Sequence, residues 1–302
     1  MRKLVFRRLK KSRYLYLMIA PVVIWYLVFC YAPMFGLVIA FKEYDMYEGI
    51  AKSPFIGLLQ FKNFFSSIYF WRLIRNTFLI SFYGLIFGFP APIILALMFN
   101  ELKDGRFKKI TQTISYLPHF ISTVIIVGMF TTFLAPETGL INNIIELLGG
   151  QRIYFLSEPR YFRSLYIILD IWRSVGWGSI IYLAALSNVE TELYEACVID
   201  GGGYWRQLFH ITLPGIAPTV VIMLILRIGQ LMTVGYETII LMYSPSTYET
   251  GDVISTYVYR VGLIDSNYSF SSAVGMFNSI ISMTLLVCAN SISKRFGETS
   301  LW

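Results

Sequence analysis

The sequence predicts an all-α polytopic membrane protein with six transmembrane helices. Three observations lead there. Of 302 residues, 56% are hydrophobic and only 14% are charged, with a mean hydropathy of +0.61; soluble domains carry about 25% charged residues. Six apolar runs reach the ~20 residues that a helix needs to cross a bilayer. The polar segments between them carry their lysines and arginines unevenly, as topology signals do.

The first run, 14–40, follows a tail with seven basic residues and no acid. It is too long for a signal-peptide core and shows no small-residue cleavage site, so it is expected to stay as the first span. Segment 41–75 sets Phe61, Phe64, Phe65, Tyr69, Phe70 and Trp71 among cations. That mixture suits either a helix lying along the membrane surface or an ordinary loop. The second run, 76–99, contains Pro90 and Pro92, and proline removes a helix donor and kinks the rod. Runs 114–135 and 164–186 follow. The fifth, 211–241, opens on Pro214 and Pro218; it exceeds a bilayer's thickness, so it tilts, breaks or enters the interface. The sixth is 272–293. No internal repeat, low-complexity tract or soluble domain is evident. The chain divides into a basic tail (1–13), a first span with an outer segment (14–75), a helical core (76–293) with a polar loop at about 189–214, and a second tail (294–302).

Fourteen lysines and arginines fall on the side of the two tails and nine on the other. Basic residues favour the cytoplasmic face, which places both termini and the polar loop inside. The net charge of +7 is thus a topology signal and not a nucleic-acid footprint. The Lys103–Lys109 cluster reads as a topology determinant and an anionic-lipid contact. Cys30, Cys197 and Cys288 form no CxxC pair, and His119 and His210 are far apart, so neither a disulfide framework nor a metal site is indicated. His119, beside Pro118, reads as a local hydrogen-bonding residue. A P-loop GxxxxGK[ST] is absent, which excludes an ATPase of that kind, and the acids do not cluster as an enzyme's would. No catalytic residue is assigned.

The polar loop carries the strongest signal. Glu195-Ala196-Cys197-Val198-Ile199-Asp200-Gly201 is followed, after nine residues, by Ile211-Thr212-Leu213-Pro214. Spacings of three and four put Leu193, Ala196 and Cys197 on one face of a short helix. Gly201, Gly202 and Gly203 then end it, since glycine takes positive φ at little steric cost. Tyr204 and Trp205 suit the headgroup layer, and Pro214 suits the first turn of the next span.

This spacing resembles the signature of permease subunits of binding-protein-dependent ABC importers: Glu-Ala-Ala, three residues, Gly, nine residues, Ile-x-Leu-Pro. Cys197 replaces the second alanine, and Gly202 stands where alanine is common. Asn76-Thr77, Leu117-Pro118-His119-Phe120-Ile121-Ser122, Ile171-Trp172 with Gly176-Trp177, 182–186, 252–260 and Ala273-Val274-Gly275 extend the likeness over nearly the whole chain. It is similar to sugar importers of the maltose-transporter type, and among them to the lipo-oligosaccharide and polysaccharide branch. The resemblance implies a type I ABC importer permease fold in a bacterial cell membrane. The implied partners are a second homologous permease, two ATPase subunits, an extracellular binding protein, the bilayer and a glycan substrate. ATP and Mg would bind the ATPase subunits, leaving this chain without a cofactor. Glu195, Ala196, Cys197, Asp200, Gly201, Leu213 and Pro214 would couple to the ATPase, and the spans would alternate between inward- and outward-open. A secondary transporter or channel working without an ATPase is the alternative.

Charges inside the spans remain. A charge at a helix centre costs about 2.5–3.5 kcal/mol on insertion scales and therefore faces protein or a water-filled cavity. Arg227, midway along the fifth run, with Gln230, Tyr236 and Glu237, either lines a substrate path or forms an internal pair such as Arg227–Glu237. Asp170 and Arg173, three apart in the fourth run, read as a mutually neutralising pair.

Overall fold

A computed structural model describes residues 13–296 and 300–302. Residues 1–12, with six of the seven lysines and arginines of the basic tail, and residues 297–299 of the second tail lie outside the described residues. Helices follow one another along the chain: α1 (Arg13–Phe41), α2 (Leu59–Phe65), α3 (Phe70–Glu101), α4 (Arg106–Phe120), α5 (Thr123–Phe133), α6 (Leu140–Leu147), α7 (Pro159–Leu186), α8 (Thr191–Ile199), α9 (Tyr204–Gly229), α10 (Tyr236–Met242), α11 (Ile254–Tyr259) and α12 (Tyr268–Phe296). Among the described residues the only bridge outside the helices is the antiparallel pair Lys42–Phe55.

Five of these helices are long and apolar enough to cross a membrane, and the bent pair α4–α5 makes a sixth. Two expected runs need correction. The third is not one rod: α4 and α5 meet at 103°. Pro118 lies in the last 3-10 turn of α4, Ile121 is extended, and the Ser122 hydroxyl caps α5 through the Ile125 N–H at 3.4 Å. The fifth breaks as well. α9 starts earlier, at Tyr204, and ends at Gly229, leaving α10 as a separate short helix. Gly229 lets α12 approach, since a Cβ there would lie 2.7 Å from Leu286 Cδ1.

The prolines do not break the other spans. A π-helical turn ends two residues before Pro33, before Pro90 and before Pro214: Leu27–Tyr31, Gly84–Gly88 and Leu208–Thr212. In each, the residue preceding the proline donates five residues back: Ala32 to Leu27, Phe89 to Gly84, Leu213 to Leu208. The widened turn makes room for a ring that would otherwise press on the carbonyl four residues before it.

The chain forms two compact units: the described residues up to Ser66 with Val261–Met276, and Ser67–Arg260 with Phe277–Trp302. In the first, the aromatic segment is not one surface helix. Phe64 of α2 is fully buried, its ring 6.2 Å from that of Phe270, while Phe70 and Trp71 already belong to α3. The Tyr44 N–H donates to Ser269 Oγ at 2.8 Å, and those of Ile56 and Gly57 to the Phe41 carbonyl. In the second unit one apolar core gathers Ile80, Ile126, Phe162, Leu169 and Ile239. Another gathers Ala96, Tyr182, Leu186 and Ile216, with Leu213 against it. Between α4 and α7, Gly176 permits direct backbone contact: any Cβ there would overlap the Ser115 carbonyl.

Candidate functional site: a capped surface helix and a polar cavity

All the features below lie in the second unit. α8 is nine residues long and ends in a complete Schellman motif. Gly201 takes φ +74, its N–H donates to the Val198 carbonyl at 3.0 Å, and the Gly202 N–H donates to that of Cys197 at 2.7 Å. These are the two bonds that define the motif, and the left-handed residue is the glycine the spacing had singled out. The two departures from the family pattern touch each other: a Cβ at Gly202 would overlap Cys197 Sγ. A side chain larger than alanine at 197 thus goes with no side chain at 202.

α8 is tied to the span that follows it. The Tyr194 hydroxyl donates to Thr212 Oγ1 at 3.0 Å, which donates onward to the Gln207 carbonyl at 3.3 Å. Val189 presses on Gly215, where a Cβ would lie 2.9 Å from Val189 Cγ2. The rest of α8 faces outward. Glu192, Glu195, Ala196 and Asp200 are exposed and Cys197 is half-buried. Ile199 is 86% exposed and Trp205 67%. Leu213 packs inward while Pro214 is exposed. The hydrogen bonds therefore hold a shaped, acidic and apolar surface whose own side chains meet little of the chain.

Arg227 lies in the last turn of α9, not at its middle. Its Nη2 is 3.8 Å from Asp170 Oδ2. Asp170 thus pairs across helices with Arg227; neither the local Asp170–Arg173 pair nor the Arg227–Glu237 pair appears among the ion pairs of the described residues. Gly84 makes room for the guanidinium, since a Cβ there would be 3.3 Å from Nη2. Arg227, Gln230, Asp170, Arg173 and Tyr166 line a cavity of about 150 Å³. Tyr236 and Glu237 line a different one, of about 560 Å³, with Tyr259 and Arg173. Tyr236 stacks on Tyr259 at 5.9 Å and 28°. The four candidates from the sequence are split between two cavities that share Arg173 as a wall.

Two constellations entered the sequence reading only as family likeness, with no site role. Asp252 is fully buried. Its carboxylate accepts from Arg72 Nη2 at 3.0 Å, Arg260 Nη2 at 2.8 Å and Thr256 Oγ1 at 3.0 Å. Burial alone would lower the Arg260 guanidinium, but the Asp252 hydrogen bond and charge outweigh it and hold it above its ordinary value. Asn76 is also fully buried; its amide donates to the carbonyls of Glu249 at 2.9 Å and Asp252 at 3.0 Å. Its Oδ1 accepts from Arg163 Nη2 at 2.9 Å. Thr77 Oγ1 accepts the Ile254 N–H at 3.0 Å. The start of α3, the start of α7 and the turn before α11 are knotted there. The signal available was a lone polar Asn-Thr pair at the head of an apolar run and an acid eight residues before Arg260. His119, expected to be a local hydrogen-bonding residue, makes no side-chain hydrogen bond among the described residues. Its ring lies flat on Trp177, centroids 4.8 Å apart and planes at 1°.

Residues 88–297 match the model of the family described as "Binding-protein-dependent transport system inner membrane component". The chain is 42% identical to Protein LplB of Bacillus subtilis (strain 168), over 97% of this chain and 92% of that one. It is 42% identical to the polygalacturonan/rhamnogalacturonan transport system permease protein YteP of the same organism, over 100% of this chain and 94% of the other. A crystal structure of a bacterial ABC transporter involved in the import of the acidic polysaccharide alginate superposes with a TM-score of 0.90 at 45% identity, covering 96% of this chain and 98% of that chain. On the matched core, the full-length likeness and the shared fold, the chain belongs to the family of inner membrane components of binding-protein-dependent transport systems: it is a multi-pass ABC importer permease, not an enzyme, and ATP is hydrolysed on separate subunits.

Proposed function

We propose that this permease carries acidic oligosaccharide or polysaccharide fragments into the cell by alternating access. It would pair with a second permease above two ATPase subunits and receive substrate from a binding protein. The observation that carries the substrate reading is the Arg227 cavity. Two arginines and one aspartate line it, so its walls are net cationic, and Gln230, Tyr166 and Thr233 add neutral donors. An acidic glycan offers carboxylates and hydroxyls to match. The names of YteP and of the alginate importer point to the same chemistry.

α8 is the ATPase contact. Glu195 and Asp200 present charge, Ala196 permits close approach, and Cys197 with Gly201 sets the exit angle of the chain. Leu213 and Pro214 pass displacement into α9, because Tyr194 bonds α8 to Thr212. Lys and Arg asymmetry supports placing this loop and both termini in the cytoplasm. With the three cysteines replaced by serine, a cysteine at Asp200 should react with an impermeant maleimide in inside-out vesicles and not in intact cells; the reverse pattern would invert the topology.

Arg227→Ala tests the path. In the assembled importer reconstituted in liposomes, uptake of an oligouronate should fall about tenfold or more, the worth of a charge-assisted hydrogen bond. The ATPase subunits should still co-purify. Loss of assembly instead would make Arg227 a packing residue.

A further inference from the structure

A third cavity, of about 460 Å³, is lined by Tyr83 and Phe87 of α3 and by Arg160, Arg163, Ile167 and Ile171 of α7. We propose that it is a further carboxylate-binding subsite, where an oligouronate chain is gripped one stage away from the Arg227 cavity. The proposal rests on reading that cavity as the substrate path.

The two cavities share a wall. Ile167 lines both. Arg160, Arg163, Ile167 and Asp170 recur at helical spacing along one side of α7. Arg163 and Asp170 are about 10 Å apart along the axis at 1.5 Å per residue. A chain of several sugar residues reaches both positions, and a dimer does not.

The donors here are only partly engaged. Arg163 Nη2 donates to Asn76 Oδ1 at 2.9 Å. Its Nε is buried with no hydrogen-bond partner, and among the described residues no ion pair involves Arg163. The Nε edge is closed to the cavity, so an incoming carboxylate would meet the Nη1 edge of this half-buried guanidinium, which makes no hydrogen bond among the described residues. Asn76 holds the side chain in place from behind, so little ordering is left to binding. Arg160 differs: Glu158 already accepts from its Nε at 2.6 Å, so it tunes the field and Arg163 binds. Opposite, the rings of Tyr83 and Phe87, centroids 6.5 Å apart, offer flat apolar faces to sugar rings. The cavity therefore has the mixed character of a glycan site, cationic on one wall and aromatic on the other.

The test is equilibrium binding to the assembled permease–ATPase complex in detergent, using digalacturonate and tetragalacturonate as probes. Wild type should bind the tetramer about tenfold more tightly than the dimer, the gain from one added charge-assisted contact. Arg163→Gln should bind both alike, and Arg163→Lys should recover part of the gap. A tenfold gap kept by Arg163→Gln overturns the subsite, as does equal weakening of both probes or no tetramer binding by wild type. So does loss of co-purified anionic lipid from Arg163→Gln with tetramer affinity unchanged, which would make the cavity a lipid headgroup site. Arg227→Gln should weaken both probes. If it weakens neither while Arg163→Gln closes the gap, the reading of the Arg227 cavity fails and the subsite stands.

Discussion

Gly201→Pro is expected to abolish ATP-driven uptake while the permease still inserts in the membrane. The reason is geometric. Gly201 sits at φ +74, and a proline ring holds φ near −65°. Proline also removes the N–H that reaches the Val198 carbonyl at 3.0 Å. Neither bond of the cap survives, so the chain leaves α8 in another direction and the exposed face of Glu195 and Ile199 is no longer aimed. The damage should stay local, because the side chains of α8 are mostly exposed and, among the described residues, Tyr194 alone of them bonds to the next span, with Val189 packing on Gly215 just before the helix. Gly201→Ala is the graded control: a left-handed alanine costs about 1–2 kcal/mol, enough to weaken coupling and not to remove it. Uptake into liposomes and co-purification of the ATPase subunits measure the two consequences. Wild-type uptake by the proline variant would show that this cap plays no part in coupling.

Asp252→Ala is expected to lower stability strongly. It leaves Arg72 and Arg260 facing each other across the space of a buried carboxylate, and breaking a buried pair by removing one partner costs about 3–5 kcal/mol. The Arg260 guanidinium, now held above its ordinary pKa by Asp252, loses what offsets its burial. It keeps the rings of Tyr248 and Tyr257 at 4.9 and 5.6 Å, a weaker compensation. Asp252→Asn should lie between the two, since an amide still accepts a hydrogen bond but carries no charge. Thermal unfolding in detergent, followed by tryptophan fluorescence, should rank wild type above Asn above Ala. An alanine variant that melts with the wild type would mean that the carboxylate only offsets its own desolvation.

Much of this architecture was legible in advance. Spans such as α7 and α12 follow from local hydrophobicity, which a helix expresses wherever it lies. The α8 cap was readable because its glycine answers a local backbone demand. The expectations failed where a local rule met a neighbour. Prolines 90 and 214 promise kinks, yet π-turns before them keep α3 and α9 continuous. The run at 211–241 reads as one span because it is predominantly apolar, yet it breaks where Gly229 lies against Leu286. Phe64 resembles its surface neighbours in sequence and is buried against Phe270.

The same division holds for the polar residues. Composition and order alone establish a membrane helix bundle, the position of its acidic loop along the chain and the glycine that ends its helix, because each depends on residues a few positions apart. Pairing does not. Arg173 is Asp170's neighbour on one helix face, yet Asp170 turns to Arg227 from another helix. Asn76, Arg163 and Asp252 form one network only because three distant segments pack end to end. A buried charge must find a partner, and folding chooses among the partners that hydrophobicity leaves in reach.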